Sequence, residues 1–339
     1  MNVFELTREL VDLESLTGNE LAVGRRLLDL LGTLAARFGG RLEELPVEPN
    51  RSNVFASWGR PLVTLSTHMD TVPPFLPSRE DGEFIWGRGA CDTKGIIASM
   101  LCAAQALLET GVRDFGLLFV VGEERNSAGA YAASRTPRGS RFLINGEPTE
   151  NRLALGSKGA LRYELEAAGK MAHSAYPELG ESAIDKLLDI LDRVRRIPLP
   201  ADPVLGPSTL NIGTLQAGRA PNVVPDRALA EIMIRLVDDP APIRAAMTQT
   251  VAGRAELREV LCIPALRMGA LDGFETTVVA YTTDIPAFGG VWGRPFLLGP
   301  GSIHVAHTAE ERVPKRELIE AVDLYQKLVK RLLEYETEN

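Results

Sequence analysis

Apolar residues recur at helical spacing over Val3 to Leu13 and over Glu20 to Phe38, and the pair Gly39-Gly40 stops the second run. Arg41 to Glu48 and Asn53 to Trp58 read as short strands. A denser stretch, Leu62 to Pro74, opens on β-branched and aliphatic residues that suit a buried strand. It closes on a proline pair that cannot continue a sheet ladder. Arg79 to Trp86 predicts a hairpin turning at Asp81-Gly82, and an Ala-rich helix then runs to about Glu109. Two more strands, Phe115 to Val121 and Arg141 to Ile144, flank a short helix at Ala128 to Ala133. Strands alternating with helices predict an α/β fold with a mixed, mostly parallel sheet flanked by helices.

From about Gly159 the pattern changes. Leu161 to Ala167, Thr209 to Leu215, Ala228 to Val237 and Glu256 to Ile263 read as strands, with helices over Glu181 to Arg195 and Pro242 to Val251. This is a compact α+β unit of its own. Gly- and Pro-rich connections resume at about Met268, and an amphipathic helix, Lys315 to Tyr335, closes the chain. The expected organisation is a discontinuous domain, residues 1–157 and 265–339, with an inserted unit at 158–264.

The 339 residues suffice for two domains, and a formal net charge of -8 without a basic tract argues against a nucleic-acid binder. Cys91, Cys102 and Cys262 are an odd number without a close pair, which fits a reducing cytoplasm better than a disulfide framework. The first residues carry acids where a signal peptide needs an apolar core, and no apolar run reaches membrane-spanning length. The expectation is a cytoplasmic protein without a membrane partner, in which the sequon Asn50-Arg51-Ser52 goes unused.

Three strands deliver His or acids at their C-terminal ends, the edge where open α/β sheets bind ligands. They are His68 and Asp70, then Glu123 and Glu124 after Gly122, then Glu147 after Gly146. Residues two apart in extended backbone face one way, so the Asp70 carboxylate can fix the tautomer of His68. Each candidate has a plainer reading. Asp92 before a helix makes a good N-cap, Glu123-Glu124 a solvated turn, and Glu147-Pro148 ordinary turn chemistry. His307 stands where the first domain resumes. Two imidazoles with several carboxylates and no thiolate suit zinc, with cobalt or manganese as substitutes, and a carboxylate shared by two metals would make a two-metal hydrolase.

Ser66 to Pro73, Gly87 to Gly95, Gly122-Glu123-Glu124, Gly146 to Thr149, Gly169 to Pro177 and Gly299 to Glu310 occur in that order. Together they resemble the motifs of the dizinc amidohydrolase and peptidase family 20, which contains acetylornithine deacetylase, succinyl-diaminopimelate desuccinylase, aminoacylase and carboxypeptidase G. The resemblance implies two Zn2+ per subunit. His68, Asp92 and Glu147 would hold one and Asp92, Glu124 and His307 the other, with Asp92 bridging, Asp70 orienting His68 and Glu123 as general base. It implies that the insertion is a lid and dimerisation domain in a homodimer. His173 would enter the partner subunit's site to hold the developing oxyanion, although it reads equally as a surface-loop histidine. Arg235 matches an arginine that clamps a substrate carboxylate, although strand alternation also permits a solvent-facing position there. Asn222 and Thr283, with Asp284, are further candidates for the substrate pocket. His304 matches no family ligand but lies three residues from His307.

The strings Gly146 to Thr149 and Gly299 to Thr308 look most like the branch that deacylates N-acetylornithine or N-acetyl-lysine in arginine or lysine biosynthesis. The expected activity is hydrolysis of the amide of a small-molecule N-acyl amino acid. A desuccinylase, or a dipeptidase or carboxypeptidase, on the same scaffold is the enzymatic alternative, and a catalytically silent scaffold protein is the alternative of another class. A nucleotide-binding α/β protein is disfavoured, because no Gly-rich phosphate loop follows the first strand.

Overall fold

The computed structural model describes residues 1–338. Asn2 caps α1 (Val3–Asp12) by accepting the backbone N–H groups of Phe4 and Glu5. α2 (Leu21–Phe38) ends as its glycine pair predicts, with Gly39 in the left-handed region at φ 69°. β1 (Arg41–Glu48) and β2 (Arg51–Trp58) form a hairpin. The ladder of β1 is irregular between Pro46 and Glu48, as befits a proline on an edge strand. Next come β3 (Val63–His68), α3 (Lys94–Glu109), β4 (Phe115–Val120), α4 (Ala128–Ser134) and β5 (Phe142–Asn145). Every residue of β3, β4 and β5 is buried, as continuous apolar runs in a sheet covered on both faces require.

The second unit contains β6 (Gly159–Ala168), α5 (Ala183–Val194), β7 (Thr209–Ala217), β8 (Arg227–Leu236), α6 (Ala241–Val251) and β9 (Glu256–Ile263). The chain then returns to the first unit with β10 (Arg294–Leu297) and α7 (Lys315–Glu338). Chain contacts divide at Met1–Leu155 with Met268–Thr277 and Thr283–Asn339, against Gly156–Arg267 with Val278–Thr282. The pattern of the sequence puts the division at 158 and 264 and does not anticipate the returning segment 278–282. That segment belongs to the second unit, where the N–H of Lys158 donates to the carbonyl of Val279 at 3.0 Å.

The first unit is built on a six-stranded sheet in the order β1-β2-β4-β3-β5-β10. β4, β3, β5 and β10 run parallel, and the hairpin extends the sheet antiparallel. Alternate side chains serve two cores. One face, with Leu65, Leu117 and Ile144, packs against apolar residues of α1, α2, α3 and α7; the other, with Phe55, Leu118 and Leu143, packs against α4 and Trp292. The second unit is an antiparallel sheet, β7-β8-β6-β9. Leu161, Tyr163 and Leu165 alternate onto Leu187, Ile190 and Leu191 of α5. α5 starts at Ala183 and not at Glu181, because the Ser182 hydroxyl accepts the N–H of Asp185 and caps it. No helix among the described residues is long and apolar enough to cross a membrane.

The sequence pattern does not predict β10, whose four residues include Pro295 and sit among glycine-rich connections. It nevertheless completes the parallel set by pairing with β5 from Arg294↔Phe142 to Leu297↔Asn145. Phe296 anchors it, 1% exposed and edge-on to Phe142 with ring centroids 6.2 Å apart. Phe296→Ala is therefore expected to cost about 3–5 kcal/mol of stability, read as a lower midpoint of urea unfolding; an unchanged midpoint would mean that this strand does not hold the sheet edge.

Candidate metal centre

The C-terminal ends of β3, β4 and β5 lie side by side, and each delivers chemistry to the same edge. His68 is the last residue of β3. Its Nδ1 lies 3.0 Å from the carbonyl oxygen of Asp70 and 3.5 Å from the Asp70 carboxylate. A carbonyl only accepts, so Nδ1 carries a proton and the ring turns its Nε2 the other way. There Nε2 meets Asp92 Oδ1 at 3.0 Å and Glu147 Oε2 at 4.0 Å.

Asp92 is not a helix cap. The N-cap of α3 is Thr93, and the Asp92 carboxylate instead lies between two imidazoles. Its Oδ1 faces His68, while its Oδ2 lies 3.4 Å from Nε2 of His307. His307 Nε2 also meets Glu124 at 3.0 Å. One carboxylate thus presents an oxygen to each of two donor groups, His68 with Glu147 and His307 with Glu124. Ligand atoms of His68, Asp92 and Glu124 also lie within 4.8 Å of one another.

Asp70, fully buried, is the hub beneath this arrangement. Its oxygens accept the backbone N–H groups of Glu123 at 3.1 Å and Glu124 at 3.2 Å, and the Thr17 hydroxyl at 2.8 Å. The turn it holds begins at Gly122, φ 79°, where a Cβ would sit 2.9 Å from Arg51. Hydroxyls tie the other ends together: Thr93 Oγ1 donates to the carbonyl of His68 at 2.6 Å, and Thr67 Oγ1 to that of Gly146 at 2.8 Å. Gly146 lets β5 approach α3, since a Cβ there would lie 2.5 Å from both Ile96 and Met100.

The electrostatics are those of crowded acids. Burial, reinforced by neighbouring carboxylates, raises Glu147 and Glu123 well above the usual carboxylate range, and burial lifts Asp284 to about 7. Glu123 keeps some surface exposed, but its carboxyl is enclosed enough for burial to dominate. Burial pushes Asp92 upward too, yet its contacts with His307 and His68 outweigh that and hold it below the ordinary value. The same contacts, with Glu124, raise His307 to about 10. Glu147 Oε1 is buried without a hydrogen-bond partner, and the buried Asp284 carboxylate has only the Ser127 side chain to ease it by hydrogen bonding. Glu147 thus brings an unpartnered oxygen, with its other oxygen 4.0 Å from His68 Nε2, to a set of nitrogen and oxygen donors that suits a divalent cation, so the residues fit a metal centre.

His68, Asp70, Asp92, Glu123, Glu124, Glu147 and His307 are thus brought together. Thr283 is buried in the same unit, where its hydroxyl accepts the N–H of Ile285 at 3.2 Å. His304 is exposed and, among the described residues, takes no part in the cluster. His173, Asn222 and Arg235 belong to the second unit. His173 is exposed, held by a bridge to Val223 and by the N–H of Ala175 on its Nδ1, and the Asn222 carbonyl accepts the neighbouring N–H of Ser174. Arg235 lies half-buried on β8. Nothing local in the sequence marks Thr17, Thr67 and Thr93, whose hydroxyls occupy ordinary strand and loop positions, or Glu311, which stands in a run of charges.

This fold, with acids and imidazoles converging on one carboxylate, defines a candidate metal centre, and the family to which the chain belongs makes it a hydrolase of peptide C–N bonds. Residues 64–331 match the model of peptidase family M20/M25/M40, and the chain belongs to that family. A relative from Aspergillus niger, named "Probable carboxypeptidase", is 38% identical over 95% of this chain and 88% of its own. Among solved structures, a tripeptidase from Staphylococcus aureus matches with a TM-score of 0.81 at 22% identity, over 98% of both chains. A Bacillus subtilis protein described as a dinuclear metal-binding peptidase of the M20 family matches at 0.70 and 18% identity, over 98% of both chains.

Asp70→Asn leaves one acceptor oxygen where two are used, and is expected to weaken Zn2+ or Co2+ binding by about 10-fold to 100-fold with the fold retained. Titration of the metal-stripped protein reads this directly, and an unchanged affinity would detach Asp70 from the centre.

Proposed function

We propose that this chain is a two-metal carboxypeptidase or dipeptidase that hydrolyses the amide next to a free carboxylate, with zinc as its metal. The observation that carries the reading is the Asp92 carboxylate shared between His68 and His307. Nitrogen and oxygen donors without thiolate suit zinc, and accept cobalt or manganese. His68, Asp92 and Glu147 would hold one ion, and Asp92, Glu124 and His307 the other. Bound divalent cations supply Lewis acidity, which polarises a carbonyl and makes water acidic near neutral pH.

The chain's own residues carry the proton and place the substrate. Glu123 takes a proton from the attacking water at its carboxylate and returns it to the nitrogen of the leaving amine. Its backbone is fixed by Asp70, so the carboxylate works from a set position. Asp70 also holds the Nδ1 side of His68, so that Nε2 points toward the carboxylates of the centre. Arg235 receives the substrate carboxylate. Among the described residues no acid pairs with its guanidinium, and burial is what acts on it, as suits a group awaiting an anionic partner. Asn222 and Thr283 line the substrate. The chain works as a homodimer in this reading, with the exposed His173 donating to the oxyanion in the partner subunit's site.

The deacetylase reading shares this chemistry, since N-acetylornithine and N-acetyl-lysine also carry a carboxylate beside the amide. The carboxypeptidase name of the Aspergillus relative favours a peptide on the acyl side. Amine release from dipeptides, longer peptides, N-acetyl and N-succinyl amino acids separates the readings. Cleavage of peptides that vanishes on chelation and returns with zinc supports the proposal, whereas turnover confined to N-acetylornithine or N-acetyl-lysine restores the deacetylase. Glu123→Gln should keep both metals while kcat falls about 100-fold to 10,000-fold; full activity removes Glu123 from its role. Arg235→Ala should raise KM about 10-fold to 100-fold for substrates with a free carboxylate, and should change it little for their amides. Full activity from a proven monomer would rule out the shared site.

A further inference from the structure

Glu311 lies four residues beyond His307 and is 1% exposed. One of its oxygens, Oε1, accepts three backbone N–H groups from the loop before α3: Gly89 at 2.8 Å, Asp92 at 3.1 Å and Cys91 at 3.3 Å. The other, Oε2, accepts from the Arg88 guanidinium, and the Glu311 carbonyl accepts the N–H of Gly87 at 3.0 Å. Residues 87–92 belong to no helix or strand, so these donors have no ladder to join. The loop is folded instead around a carboxylate supplied from the far side of the insertion.

The loop ends in the carboxylate that lies between the two imidazoles, and Glu311 shares a segment with one of them. We propose that Glu311 is a positioning residue that sets Asp92 between His68 and His307, so that metal affinity depends on a side chain that touches no metal-binding atom. The inference rests on the metal reading above. A carboxylate is required because both of its oxygens face donors. An amide of the same shape must turn its NH2 either toward the three backbone N–H groups or toward Arg88, and leaves one set opposed. Satisfying a buried arginine does not by itself explain the arrangement, since Arg88 engages one oxygen while the other gathers the loop.

The test uses the full-length, metal-stripped protein titrated with Co2+, reading affinity and the visible absorption of the bound ion. Glu311→Gln should bind Co2+ about 10-fold to 100-fold more weakly, with a changed visible spectrum and a retained circular dichroism spectrum. Val313→Ala, a cavity variant two residues away that leaves the Glu311 carboxylate in place, should lower thermal stability while keeping wild-type affinity and absorption. Glu311→Asp keeps the charge but shortens the reach, and should bind Co2+ more weakly than wild type; it carries the test if the glutamine variant does not fold. Wild-type affinity and absorption in the Glu311 variants would overturn the proposal. So would a loss of affinity in Val313→Ala in proportion to its loss of stability, because the role would then be structural alone. A wild-type protein that binds no Co2+ would refute the metal reading itself, a result distinct from either.

Discussion

Burying negative charge at one sheet edge is the constraint on which the rest of this structure depends. Asp70, Asp92, Glu147 and Asp284 are all at most 5% exposed, and Glu123 and Glu124 stand beside them. Acids this enclosed are tolerated only with compensation. Asp70 receives it from backbone N–H groups, the Thr17 hydroxyl and His68, and Asp92 from two imidazoles. Buried cations of the same region are committed elsewhere, Arg88 to Glu311 and Lys94 to the carbonyl of Leu13. Glu147 keeps an oxygen without a partner, and Asp284 is eased by hydrogen bonding only from the Ser127 side chain. The uncompensated remainder is what gives the edge its affinity for divalent cations.

The scaffold supplies the rigidity that this demands. β3, β4 and β5 are buried along their whole length, so their ends cannot drift independently, and hydroxyls of Thr67 and Thr93 link the end of β3 to Gly146 after β5 and to the loop before α3 at 2.6–2.9 Å. Ligands placed on strand ends and braced from behind are held more closely than ligands on free loops. Two ligating segments, the Asp92 loop and the His307 segment, are not strands. Glu311 joins them, which makes the discontinuous first unit a single construction although about a hundred residues of the second unit interrupt it.

Much of this was legible in the sequence because the chemistry coincides with strong local signals. His68, Glu124 and Glu147 follow apolar runs that could only be buried strands, so their placement came with the strands. Asp92 was ambiguous, since a carboxylate before a helix is first of all a cap, and its contacts with His68 and His307 span 24 and 215 residues that no local pattern relates. Glu311, within Ala309-Glu310-Glu311-Arg312, looks like a solvated charge run, and only the fold shows it fully buried against the loop. β10 escaped notice because Pro295 and four residues make a poor strand signal, while a parallel neighbour in register is enough to hold it. The division of substrate classes was beyond reach for a simpler reason: the motifs of the centre describe the bond that is cut, and not what lies on either side of it.

The most direct test of a centre built on a shared carboxylate is a crystal structure of the Co2+- or Zn2+-loaded protein with anomalous scattering recorded at the metal edge. Two peaks are expected to flank the Asp92 carboxylate, one against His68 and Glu147, the other against His307 and Glu124. A single peak, or two that do not share Asp92, would contradict that expectation.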